Sequence, residues 1–368
     1  MTARDTAGAT PSPLVAVLTP VCNGERYLAA CIESVLAQTH ADWRYVIVDN
    51  ASTDATPEVA RRYAERDGRI RVVRNPARVG VIENHNLAFA TVPADAGYCK
   101  VVHADDWLFP ECLARMVALA RGHPTIGVVS AYRLKGDWVD LDGLPYPSTL
   151  VPGRQVCRQS LLGGPYVFGS PTSVLFRADL VRRRQPFYDP ASLHADEAAC
   201  YDVLAESDFG FVHQVLTCTR THEATVTSSV ARRLDTRLPA NLAILDRYGP
   251  VFLTPAEHAR RRAERLQEYY RGLARGLLRR REPEFWAYHR RALAAAGAPL
   301  SRWRLARAVA AQAAAAVVQP GPLLRRPGAG AGRLDPAATT RAHAVDEAAR
   351  RLAVAGATAR ARQRPGSP

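Results

Sequence analysis

Short, continuous apolar runs alternate with stretches whose apolar residues recur every three to four positions through the first part of the chain. That rhythm predicts parallel strands joined by helical crossovers, since a strand buried on both faces is apolar throughout and a covering helix is apolar along one stripe. Residues 15–18 read as a buried strand and residues 19–25 as a loop. Over residues 27–38, Leu28, Cys31, Ile32, Val35 and Leu36 share one helical face. A second strand at 45–48 closes on Asp49-Asn50-Ala51-Ser52-Thr53-Asp54, whose small polar side chains suit a turn and a helix N-cap. A helix at 57–66, a strand at 70–73, a helix at 82–90 and a strand at 98–103 follow, and Asp105-Asp106 stands just beyond the last of these. In open α/β sheets ligands bind past the carboxyl ends of the strands, where three of these polar clusters fall.

Farther along, residues 137–164 are irregular and rich in Gly and Pro, which suits a loop or an insertion. Strand-like segments at 173–176, 209–212 and 215–219 surround a helix at 198–205. Beyond about residue 234 the pattern turns helical, and Leu266, Tyr269, Tyr270, Leu273 and Leu277 form an amphipathic stripe beside arginines. Such a stripe either packs on the preceding domain or lies on a membrane surface. The expected organisation is a disordered N-terminus (1–13), an α/β domain (14–233), a helical extension (234–319) and a disordered Ala/Arg/Pro-rich tail (320–368).

Charge changes this picture only modestly. The chain has 368 residues and a formal net charge of +14, and thirteen of its arginines lie between Arg260 and Arg304. No aromatic-basic stacking pattern or recognition motif accompanies them, so nucleic acid is not the expected partner. The seven cysteines show no C-x-x-C pair or zinc-like spacing, which fits a reducing cytoplasm better than a disulfide framework. The N-terminus lacks an apolar signal core, and no run reaches the ~18 apolar residues of a membrane span. The nearest, residues 305–318, is interrupted by Arg307 and Gln312. A soluble cytoplasmic protein with peripheral contact at the inner face of the membrane is the expectation.

Asp105-Asp106 at a strand end could divide the labour of a nucleotide site, one carboxylate receiving ribose hydroxyls and the other holding a divalent cation. Four blocks in order sharpen this reading: Val15-Ala16-Val17-Leu18-Thr19-Pro20-Val21-Cys22-Asn23-Gly24-Glu25; Ile32-Glu33-Ser34-Val35-Leu36-Ala37-Gln38-Thr39; Val46-Ile47-Val48-Asp49-Asn50-Ala51-Ser52-Thr53-Asp54; and His103-Ala104-Asp105-Asp106-Trp107. Together they resemble the family 2 glycosyltransferases over residues 14–225. The resemblance implies a GT-A (Rossmann-like) α/β fold, with a mixed, mostly parallel sheet flanked by helices and a C-terminal helical extension.

The same resemblance implies a set of roles. Thr19, Pro20 and Glu25 would border the nucleoside, Asp49 and Asn50 would meet the base, and Asp105 the ribose. Asn86 would lie behind the donor, and Arg220 would meet the diphosphate. Asp106, with His222, would hold Mn²⁺ or Mg²⁺. Asp196 would be the general base, with Glu197 its rival. Three positions depart from the family pattern: Asn50 replaces a second aspartate, His85 an arginine, and His103 the first aspartate of Asp-x-Asp-Asp. The loop Gly163-Gly164-Pro165-Tyr166-Val167-Phe168-Gly169-Ser170-Pro171-Thr172-Ser173 looks like the family's glycine-containing segment before the acceptor-side strand.

The implied activity is metal-dependent, inverting transfer of a sugar from a nucleoside diphosphate, a UDP- or dTDP-sugar being favoured. The acceptor would be a hydroxyl of a glycan, a lipid-linked glycan or a small molecule. Cell-surface polysaccharide assembly and secondary-metabolite glycosylation both fit. A sugar nucleotidyltransferase would need a glycine-rich loop with a following Lys after the first strand, where this chain has Thr19-Pro20-Val21-Cys22-Asn23-Gly24-Glu25. A non-catalytic basic surface-binding protein would leave the N-terminal pattern unexplained.

Overall fold

The computed structural model describes residues 12–146, 148–192, 194–220 and 226–318. The predicted tail, most of the N-terminal segment and His222 lie outside the described residues. The chain divides into two compact units, one of residues up to 151 with 167–190 and 207–219, the other of residues 152–166, 191–206 and 220 onward.

Through the first part of the chain the elements are β1 (Val15–Val21), α1 (Glu25–Leu36), β2 (Trp43–Asp49), α2 (Thr56–Ala64), β3 (Ile70–Arg74), α3 (Val81–Phe89), β4 (Tyr98–Val101), β5 (Trp107–Leu108), α4 (Cys112–Gly122), β6 (Ile126–Lys135), β7 (Trp138–Asp140) and β8 (Leu150–Val151). Then come α5 (Gly153–Leu161), β9 (Leu175–Arg177), α6 (Ala178–Arg182), α7 (Ala195–Leu204) and β10 (Asp208–Thr219). The C-terminal helices are α8 (Val226–Leu234), α9 (Arg237–Phe252), α10 (Pro255–Leu278), α11 (Pro283–Ala295) and α12 (Arg302–Val318).

The first unit is built on one ten-stranded sheet with the path β3-β2-β1-β4-β9-β6-β10-β5, β7 pairing with β6 and β8 with β10. Its longer ladders, β3-β2-β1-β4 and β6-β10, are parallel, and the short strand β9 is inserted antiparallel between β4 and β6. This is the mixed α/β architecture that the sequence predicts. Every residue of β1 is buried, as are all those of β2 except Arg44. Continuous apolar runs of this kind belong to strands covered on both faces. On one face, Leu28, Cys31, Ile32 and Val35 of α1 join Val59 of α2 and Met116 of α4 in the core.

Two local readings are corrected. Residues 19–21 are not loop: β1 runs to Val21, pairing Thr19 with Ile47, Pro20 with Val48 and Val21 with Asp49. A proline can sit there because β4 pairs only with Val15 to Leu18, and Leu18 is the last residue of β1 whose carbonyl meets that side, receiving Val102 N. Pro20 nitrogen points the same way, to a position β4 has already left, so no ladder bond is lost. Residues 173–176 are likewise not one strand: a 3₁₀ turn at Pro171–Ser173 precedes β9.

The second unit is helical. Leu266, Tyr269, Tyr270 and Leu273 of α10 are buried with Leu242, Phe285 and Leu293, so the predicted stripe is consumed inside this unit except for Leu277, which is exposed. α10 starts as its sequence dictates: Thr254 Oγ1 accepts from Glu257 N, the Glu257 carboxylate receives Thr254 N, and Pro255 occupies the first turn. Gly272 permits the close contact with α9, since a Cβ there would lie 2.5 Å from Leu238 Cδ1. Among the described residues, no helix is long and apolar enough to cross a membrane.

Candidate functional site

The loops that leave β1 and β2 are laced together. Gly24 N donates to Thr56 Oγ1, Glu25 N to Asp54 Oδ2, and Ala55 N to Glu25 Oε2, so each loop caps the helix beginning at the other. Asn23 Oδ1 accepts from Thr53 N, and Ser52 Oγ from Asn23 N. These bonds hold Asn23 and Ala51 at φ of 52° and 49°. A left-handed alanine costs about 1 kcal/mol or more and persists only where its neighbours over-determine it.

Several predicted donor residues prove to be parts of this frame. Thr19 is fully buried, its hydroxyl 2.6 Å from Val102 O and 2.8 Å from Tyr45 Oη. Asn50 Oδ1 accepts from Val79 N and Asn75 Nδ2, while its Nδ2 donates to Val79 O. Asn86 clamps Tyr188 through both its backbone N–H and its carbonyl, each at 2.8 Å. Asp49 is fully buried: Oδ1 accepts from Ser52 N, and Oδ2 has Arg74 Nε at 3.4 Å without a hydrogen bond. A buried carboxylate oxygen in that condition is an acceptor in want of a donor.

At the end of β4 the chain turns through His103 to Asp106, and Asp106 N donates to His103 O. One ring nitrogen of His103 and one carboxylate oxygen each of Asp105 and Asp106 lie within 4.8 Å of one another. Asp106 is 3% exposed and its Oδ2 receives the Thr172 hydroxyl at 2.6 Å. Thr172 Oγ1 in turn accepts from His103 N, and Thr172 O from the buried Lys100 ammonium at 2.6 Å. Burial pushes the Lys100 pKa down and the Asp106 charge opposes that fall. Thr172 thus ties the acidic turn to β4, a role its place in a Ser/Thr-rich stretch does not announce. Two carboxylates and an imidazole form a hard-to-borderline donor set that fits Mn²⁺ or Mg²⁺.

His85 is the other feature. Its Nδ1 lies 2.8 Å from Val81 O and its Nε2 3.0 Å from His103 Nε2. Burial, with His103 adding to the effect, takes its pKa down from 6.5 to about 3, so the ring is neutral.

In the helical unit, Asp196 and Glu197 occupy the first turn of α7, where negative side chains face the positive end of the helix. Asp196 is half-buried, and Glu197 is 5% exposed with Oε2 2.7 Å from Arg237 Nη1, at an angle outside hydrogen-bond geometry. Burial raises the Glu197 pKa, and the Arg237 charge pulls it back. Glu197 lines a cavity of about 330 Å³ with Ser160, Tyr166, Tyr201, Arg237 and Arg265. Arg220 is half-buried and follows Thr219, the last residue of β10.

A Rossmann-like, mostly parallel sheet with an acidic cluster past a parallel strand's carboxyl end is the architecture of the GT-A fold. Residues 16–184 match the glycosyl transferase family 2 model. EpsE of Bacillus subtilis (strain 168) is 31% identical over 159 residues, 41% of this chain and 56% of EpsE. The match therefore spans little more than half of that relative. The S. aureus TarS 1-349 structure in complex with UDP superposes with a TM-score of 0.56 at 16% identity, covering 76% of this chain and 79% of that one. The mannosyltransferase PcManGT from Pyrobaculum calidifontis, in complex with GDP-Man and Mn²⁺, gives a TM-score of 0.51 at 21% identity, covering 84% and 82%. At such identities the likeness speaks for the fold.

Proposed function

We propose that the protein transfers a sugar from a nucleoside diphosphate to an acceptor hydroxyl with inversion at the anomeric carbon. The observation that carries this reading is the convergence of His103, Asp105 and Asp106 donor atoms within 4.8 Å at the end of a parallel strand. Bound there through Asp106, Mn²⁺ or Mg²⁺ would supply Lewis-acid stabilisation of the diphosphate leaving group. Asp105 receives the ribose hydroxyls. Asp49 Oδ2, buried and without a hydrogen bond, accepts the N3–H of a uracil or thymine base, which favours a UDP- or dTDP-sugar. Arg220 meets the diphosphate oxygens.

Asp196 rather than Glu197 takes the acceptor proton. Glu197 is committed to Arg237 inside the helical unit, whereas Asp196, half-buried on the same helical turn, keeps access to solvent. In-line displacement then needs no covalent enzyme intermediate. TarS and PcManGT, whose structures hold UDP and GDP-Man, support a nucleotide-sugar donor without choosing the base.

Thermal shift of the purified chain across UDP, dTDP, GDP, CDP and ADP, with and without Mn²⁺, tests the donor site, because a ligand bound only by the folded state raises its apparent stability. The expected result is stabilisation by UDP or dTDP that requires metal and is lost in Asp106→Ala. A chain that responds to no nucleotide would remove the donor site as described.

A further inference from the structure

Two of the positions where this chain departs from the family pattern, His85 and His103, are 18 residues apart in sequence and in direct contact in the fold, Nε2 to Nε2 at 3.0 Å. Hydrogen-bond accounting shows how the pair can share its protons. Val81 O can only accept, so His85 Nδ1 carries a hydrogen. In the Nδ1–H tautomer its Nε2 holds a lone pair, which can receive the hydrogen on His103 Nε2. With its Nε2 engaged by His85, His103 has Nδ1 as the nitrogen that remains for a cation. Two imidazoles facing each other edge-on, with ring planes at 81°, allow this in-plane lone pair to meet the incoming N–H.

We infer that His103 is a cation ligand through Nδ1 and that His85 is the positioning residue that presents it. The inference rests on the proposed metal site and adds to it a nitrogen ligand and a tautomer-setting partner. A metal-bound imidazole whose second nitrogen is hydrogen-bonded is held in orientation and in tautomer. Here that second partner is itself a histidine, anchored to the Val81 carbonyl on the first turn of α3. His103 N is also pinned by Thr172 Oγ1, so both the backbone and the ring of His103 are restrained. Adding an imidazole to two carboxylates shifts the donor set toward Mn²⁺ and away from Mg²⁺, which prefers oxygen ligands.

The test uses the full chain, Mn²⁺ and UDP. Long-range ¹H–¹⁵N spectra of ¹⁵N-histidine-labelled protein without metal should show His85 as the Nδ1–H tautomer and His103 as the Nε2–H tautomer. Pulsed EPR of bound Mn²⁺ should show a directly coordinated nitrogen that disappears in His103→Ala. Mn²⁺ affinity should fall ~10- to 100-fold in His103→Ala and by roughly tenfold in His85→Phe, with His85→Gln, whose amide oxygen can still accept from His103, falling less. A His103 ring protonated at Nδ1, no nitrogen coupling in the wild type, or unchanged affinity in His103→Ala would each overturn the inference. Asp106→Asn separates the two readings. If it abolishes Mn²⁺ binding while His103→Ala does not weaken it, only the nitrogen ligand is wrong; if it leaves binding unchanged, the metal site itself is misplaced.

Discussion

The two units of the molecule hold their most conspicuous buried carboxylates differently. In the sheet unit, Asp49, Asp105 and Asp106 are gathered at strand ends, and the donor atoms of Asp105 and Asp106 converge with that of His103. In the helical unit several buried or half-buried charges are answered by others: Glu197 by Arg237, Arg261 by Glu264 and Glu268, Arg262 by Asp246. Convergence raises local potential and calls for a bound counter-ion, whereas pairing cancels it and serves packing. Substitutions in the first unit should therefore move binding and catalysis more than stability, and those in the second the reverse.

The largest effect expected from this contrast is that of Asp106→Asn. The amide keeps an oxygen for the Thr172 hydroxyl, so the turn should hold and the melting temperature should shift little. Loss of the cation's stabilisation of a leaving diphosphate, several kcal/mol, corresponds to roughly a thousandfold drop in kcat. A steady-state assay beside a thermal melt checks both halves. A variant that melts much lower and keeps its activity would show that this cluster, too, is a packing device.

How much of this contrast could be read beforehand differs between the units for a physical reason. From residue 15 to residue 101 each element carries its own period, and the predicted strands and helices fall within a few residues of β1 to β4 and α1 to α3. α4 and β6, Cys112–Gly122 and Ile126–Lys135, were not anticipated: Arg115 and Arg121 interrupt the apolar residues of the first, Ser130 and Arg133 those of the second, and only three residues separate them. The stretch 137–164 looks irregular because β7 and β8 are only three and two residues long, yet its last third is the helix α5. Asp105-Asp106 was legible because two adjacent acids at a strand end are conspicuous. The His85–His103 contact and the bridging hydroxyl of Thr172 were not, since they join side chains from separate elements that only the sheet brings together.

Acid should next distinguish the helical unit. His289 on α11 is 0% exposed, its Nδ1 2.8 Å from the Tyr269 hydroxyl, and burial lowers its pKa from 6.5 to about 4. The unfolded chain then binds more protons than the folded one between those values. Stability from this group is complete above about pH 6.5 and is lost as pH falls toward 4. The loss should reach about 2 kcal/mol, after discounting for relaxation around the ring. Urea melts of wild type and His289→Gln at pH 7 and pH 5 measure it, and the acid sensitivity should shrink in the variant. Equal sensitivity in both would place the acid-labile group elsewhere.

The smallest effect, and the sharpest probe of pairing, concerns Glu197 and Arg237. Arg237→Ala removes the only positive charge set directly against Glu197 Oε2 among the described salt bridges. A fully buried pair broken in this way loses several kcal/mol, but the Arg237 side chain is 45% exposed, so solvent screening reduces the expected loss to about 1.5 kcal/mol. Without the arginine, the already raised pKa of Glu197 should rise further, because the first-named influence on it is burial and the second is Arg237. A raised folded-state pKa means the folded chain binds the extra proton, so the variant should lose stability as pH rises from the ordinary carboxylate range. Glu197→Gln in the Arg237→Ala background should recover much of the loss at neutral pH, since a neutral amide does not need the missing charge. A double-mutant cycle reads the coupling directly. If the two substitutions simply add, Arg237 acts through its stacking on Tyr166, 5.4 Å from guanidinium carbon to ring centre, and the ion pair is incidental. If they couple and transfer activity changes little, Glu197 belongs to packing, and the proton of the acceptor is left to Asp196.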